Sequence, residues 1–194
     1  MSKLYRTEDQ DLLSSTKEFL IRHAKDPQLC WKAIRRYLYL DDLHRHAIAV
    51  ARGESIEWGY GNLLAKLILV FPSLGNANRI AFFKRIISPM DLDFNQIYIT
   101  SYQKGSALDS PNSIRLLSKE IEAILPSAVV CFGDMPVPSG SFKTIAFPDA
   151  EIEYLQLLMK ENDKGIRPSE DPELKRAKSK FWIQIRNIIP FFEN

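Results

Sequence analysis

Two cysteines and three histidines make up the soft metal ligands of this chain, and their spacing argues against chemistry at a metal or a reactive thiol. Cys30 and Cys131 lie far apart and fit no zinc or cluster pattern. His44 and His46 are two positions apart, so on a helix they point about 200° away from each other, and His23 is a long way upstream. The expectation is no metal, no cofactor and reduced, buried thiols. A second chemistry is contact with nucleic acid. Arg79, Lys84, Arg85 and Lys104 fall in or near segments that follow strand-like runs, and Tyr102 could stack on a base. Lys175, Arg176, Lys178 and Lys180 add cations near the start of a terminal helix. The helix dipole disfavours them there, so helix stability does not explain their placement; a solvated polar face is the plain alternative.

These residues are carried by a chain of 194 residues, 45% hydrophobic and 26% charged. That is the composition of one globular domain with room for a helical arm. A net charge of +2 is too small to indicate nucleic-acid binding by itself. No apolar run reaches the roughly 18 residues of a membrane helix, and the polar opening MSKLYRTEDQ is unlike a signal peptide. A soluble cytoplasmic protein with no membrane partner is expected.

Residues 1–52 read as an N-terminal helical segment, with apolar residues at helical spacing through Leu12, Leu13, Phe19 and Leu20, then Leu29, Ile34, Tyr37 and Leu38. Asp26-Pro27 separates two helices and Gly53 ends the second. From residue 53 onward strands alternate with helices. Buried-strand patterns occupy 64–71, 95–101, 127–132 and 141–147, and helical patterns occupy 76–87, 111–125, 149–162 and 174–189. Asn112 or Ser113 is the expected N-cap of the second of these helices. Short connections between alternating elements predict an α/β domain over 53–194, a three-layer sandwich around a four-stranded parallel sheet. Ligands of such sheets sit outside the carboxyl ends of the strands, which places function in the loops FPSLGN, TSYQKGS, GDMPVPSG and FPDAE.

Those loops carry a resemblance. Trp58-Gly59-Tyr60-Gly61-Asn62, Tyr98-Ile99-Thr100-Ser101, the run from Pro126 to Gly133, and Lys178 to Trp182 stand in the same order as motifs of the uracil-DNA glycosylase superfamily. The chain is most similar to the bacterial iron–sulfur type, over roughly residues 50–190. The resemblance implies a pocket formed by Phe71, Pro72, Ser73, Gly75, Asn76, Ser101 and Phe147, and it also implies what that pocket lacks. Pro72 stands where the family carries its water-handling acid, Ser101 where it carries the uracil-reading asparagine, and Phe147 where a histidine supports the departing uracil anion. Cluster cysteines are absent. The implied protein is a glycosylase fold without glycosylase activity; the alternative is a divergent glycosylase for uracil or another modified base, using Asp149 or Asp134.

A thinner resemblance is to the psi subunits of bacterial clamp loaders, which look like glycosylase folds stripped of catalysis and end in a Trp-bearing helix and an aromatic tail. Here Phe181-Trp182 leads to Pro190-Phe191-Phe192. Phe181, Trp182, Ile185 and Ile189 also fit the packed face of a terminal helix, whereas Phe191 and Phe192 lie past the proline and are the candidates for contact with a partner. The implied role is a noncatalytic DNA-associated binding or adaptor protein of replication or repair, with DNA or a replication or repair protein as partner.

Overall fold

The computed structural model describes residues 25–51, 56–75, 81–82, 85, 97–105, 108–134, 136, 138–166, 168 and 170–187. Three apolar runs form the middle of a sheet. Leu67–Phe71 (β2), Ile97–Ser101 (β3) and Ala128–Phe132 (β4) are buried at every position, as strands must be when helices cover both faces. Lys143–Phe147 (β5) is an edge strand with exposed positions at Lys143 and Ala146.

The expected four-stranded sheet is corrected to five strands in the order β1-β3-β2-β4-β5. The four long strands are parallel, and the addition is Tyr60–Gly61 (β1), antiparallel to β3. Two residues are too few to show a strand period, and the glycines around them suggested only a turn. Gly61 has φ 116°, and a Cβ there would collide with the Ile97 carbonyl oxygen; Gly59 lies against the Tyr98 ring just as closely. The WGYG segment can press on β3 because it lacks those two side chains. The start of β2 also moves, from residue 64 to Leu67. Asn62 folds the preceding residues into a turn, its Oδ1 accepting from the Leu64 N–H (2.8 Å) and its carbonyl from the Ala65 N–H (3.0 Å).

Four helices complete the described chain: Pro27–Val50 (α1), Ser110–Ile124 (α2), Asp149–Asp163 (α3) and Pro172–Arg186 (α4). Aspartates cap three of them, each with a proline just inside the helix. Asp26 accepts from the Gln28 and Leu29 N–H groups, Asp109 from Asn112, and Asp171 from Glu173 and Leu174. Asp109 therefore replaces Asn112 or Ser113 as the α2 cap, because Pro111 needs no hydrogen bond in the first turn. At its other end α2 stops at Leu125, which has φ 50° and is 69% exposed, ahead of Pro126. The expected helix before Asp26 and most of that at 76–87 lie outside the described residues; residues 81, 82 and 85 are helical.

Strand alternation divides the core into two layers. Leu67, Leu69, Phe71, Val130 and Phe147 face α3 and α4, meeting Ile152, Leu155, Leu174, Phe181 and Ile185. Ile68, Val70, Tyr98 and Val129 face Leu40 of α1 and Leu117, Ile121 and Ile124 of α2. Helix α1 is thus packed on the sheet. Among the described residues, no helix is long and apolar enough to cross a membrane.

Candidate functional site

The chain leaves β2 toward β3 on one side and β4 toward β5 on the other, so the ligand crevice of a parallel sheet would open between the carboxyl ends of β2 and β4. Pro72 and Gly133 occupy those two ends. Gly133 has φ 103°, and a Cβ on it would stand 2.7 Å from Pro72 Cγ and 3.4 and 3.5 Å from the two Asp149 carboxylate oxygens. The Gly133 N–H donates to the Phe147 carbonyl at 2.8 Å. The proline ring therefore lies against bare glycine backbone between the two strand ends.

Aromatic rings stack through the core layer under α3 and α4. Phe71 stacks on Phe132 (centroids 4.8 Å apart), Phe132 on Phe147 (5.5 Å), and Phe147 on Phe181 of α4 (4.3 Å). Phe147 is fully buried. A buried phenylalanine removes on the order of 150 Å² or more from water, so this column is a large part of the layer. Ser101 ends β3 beside Phe71, also fully buried, and its Oγ has no hydrogen-bond partner among the described residues. Ser73 and Leu74 are half-buried and Gly75 is exposed. Asp149 begins α3, half-buried, while Asp134 is exposed. A carboxylate so placed could polarise a water.

The opposite layer is polar at its centre. Lys104, expected at the surface as a nucleic-acid contact, is instead fully buried and must be withdrawn from that role. Its Nζ donates to Glu120 Oε2 at 2.6 Å and to Thr100 Oγ1 at 2.5 Å, and Thr100 Oγ1 donates to the same Glu120 oxygen at 2.5 Å. The sequence hides this burial because strand-end lysines are usually solvated and the partner is a carboxylate 16 residues away. Burial lowers the Lys104 pKa and the Glu120 charge counters that shift. Tyr98 is raised well above its usual range, by burial first and then by Glu120. His44 stacks on Trp58 at 3.5 Å and is lowered to about 3, by burial first and then by the Lys104 charge. One signal for this network is visible in α2: Glu120 interrupts the buried stripe Leu116, Leu117, Ile121, Ile124 and so required a cation from elsewhere.

Glu57 joins this layer to the loops, a role with no sequence signature. Its N–H donates to the Lys104 carbonyl at 2.9 Å, and its carboxylate accepts from Ser73 Oγ at 2.6 Å and from the Leu74 N–H at 2.7 Å. The loop after β3 is tied to the loop after β2 as well, since the Tyr102 and Gln103 N–H groups donate to the Phe71 and Pro72 carbonyls. Tyr102 is half-buried and packs toward the α1/α2 layer.

The structure thus brings Phe71, Pro72, Ser73, Ser101, Phe147 and Asp149 to one end of the sheet. Asn76, Arg79, Lys84, Phe191 and Phe192 lie outside the described residues. Phe181 and Ile185 are packed into the core, Lys180 pairs with Glu151 at 2.5 Å, and Arg85 holds Asp163 in a bidentate pair at 2.7 and 2.8 Å. Among the described residues, no group of three or more His, Cys, Asp or Glu side chains is placed to hold a metal ion. No model of a known protein family matches the chain, and no curated protein matches it.

Proposed function

We propose that the protein is a noncatalytic DNA-associated binding or adaptor module of replication or repair, on a scaffold like that of the uracil-DNA glycosylases. One observation supports the noncatalytic half: at the ends of β2 and β4 Pro72 lies against Gly133, and Phe147 is fully buried in an aromatic stack. A flipped base needs an open pocket with polar groups aimed at its edge and at the charge that develops on it. Here the three positions that the family resemblance points to hold a ring, a buried serine and a buried phenylalanine. The association with DNA rests on that resemblance alone.

The test incubates the full chain with oligonucleotides carrying uracil, hypoxanthine or xanthine, followed by alkali, alongside co-purification from native extract. We expect no strand cuts above background and recovery with DNA or with a replication or repair protein. The reading of a divergent glycosylase is favoured by one placement, the Asp149 carboxylate beside Gly133 and Pro72. Cleavage that disappears in Asp149→Ala would establish that alternative in place of ours.

A further inference from the structure

Helix α1 presents an outer face that the described part of the fold does not use. Trp31 is 60% exposed, Leu38 58% and Tyr39 44%, all on the side away from the buried stripe Ala33, Arg36, Leu40, His44, Ala47. Lys32 and Arg35 are exposed between them and make no ion pair among the described residues. On the neighbouring helix Lys119 is paired with Glu122 at 3.2 Å. The face changes character at Asp41 and Asp42, where Arg45 is engaged by Asp41 at 2.6 Å.

We infer that this face binds single-stranded DNA, with Trp31 and Tyr39 stacking on bases and Lys32 and Arg35 neutralising phosphates. The inference rests on the DNA association proposed above and gives it a location away from the strand-end loops, where Lys104 is buried. The chemistry fits a single strand better than a duplex. Exposed aromatic rings offer stacking that only unpaired bases can accept, and interleaved cations follow a backbone without reading sequence. Eight residues from Trp31 to Tyr39 rise about 12 Å along the helix, a distance that a few extended nucleotides span.

The experiment titrates the full chain into a labelled oligothymidylate of 20 nucleotides at several salt concentrations and follows Trp31 fluorescence against a Trp31→Phe control. The expected result is salt-dependent binding with quenching that the control lacks. W31A/Y39A should weaken it by about tenfold or more, as loss of base stacking does. K32E/R35E should make the slope of log affinity against log salt shallower by about 1.4, the value for two phosphate contacts on a single strand. These are surface changes, and an unchanged melting midpoint verifies that the fold is intact. Undiminished binding by W31A/Y39A and by K32E/R35E would overturn the inference and leave the DNA association standing; failure of the unaltered protein to bind would overturn both. If iodide does not quench Trp31 in the unbound chain, another part of the chain covers the face and the inference falls. If W31A/Y39A instead abolishes self-association in sedimentation, a second copy is the occupant and the inference falls equally.

Discussion

The two faces of the sheet are built by different rules. The layer under α3 and α4 is hydrocarbon with an aromatic column running from Phe71 to Phe181, whereas the layer under α1 and α2 encloses a fully buried lysine, carboxylate and hydroxyl. Apolar packing tolerates substitutions that keep volume and shape, so the first face can be closed tightly but is weakly tied to any one arrangement of the loops above it. A buried charge pair tolerates almost nothing, because removing one partner leaves the other uncompensated. The polar face therefore sets the position of the β3 loop, and through Glu57 that of the β2 loop, while the apolar face carries the aromatic column.

The largest expected effect comes from splitting the ion pair. Lys104→Met should cost about 3–5 kcal/mol, with much of the loss recovered in K104M/E120L; denaturant melts of both variants check this, and equal damage in single and double variants would dissolve the contrast between the faces. Phe147→His removes packing and introduces a polar group without an assured partner, for an expected loss of about 1–3 kcal/mol and no uracil excision. Melting and alkali-cleavage assays run together test both parts, since new uracil release at an unchanged midpoint would show that Phe147 alone had silenced the site.

A smaller effect belongs to His44. Its folded pKa is depressed to about 3 from 6.5, so the unfolded chain takes up a proton first as the solution is acidified. Its contribution is present above pH 6.5 and is lost progressively as pH falls toward 3. His44→Phe should flatten that acid limb in a series of melts. The smallest effect separates the two thiols: burial pushes Cys131 up to about 12, whereas Cys30 is half-exposed. Iodoacetamide should label Cys30 in the native protein and Cys131 only after unfolding.

Much of the fold was legible because burial on both faces leaves continuous apolar runs. Leu67–Phe71 and Ala128–Phe132 could hardly be read otherwise, and their parallel pairing followed from the helices between them. Phe147 ends a strand pattern and is fully buried there, as an aromatic ring facing covering helices should be. The two-residue β1 was not, because its conformation depends on how closely Gly59 and Gly61 approach β3, a tertiary fact. Lys104 was not either. A lysine in a loop reads as solvated until the carboxylate that draws it inward is known, and Glu120 becomes its partner only when α2 is laid across the sheet.

Leu125 offers a way to strengthen the scaffold without touching either face. A leucine held at φ 50° pays a conformational penalty of about 1 kcal/mol that glycine does not, and with its side chain 69% exposed little packing would be lost on replacement. Pro126 behind it already prevents the helix from running on. Leu125→Gly therefore recommends itself as a background mutation: a host with reserve stability in which the more damaging variants can still be purified and assayed.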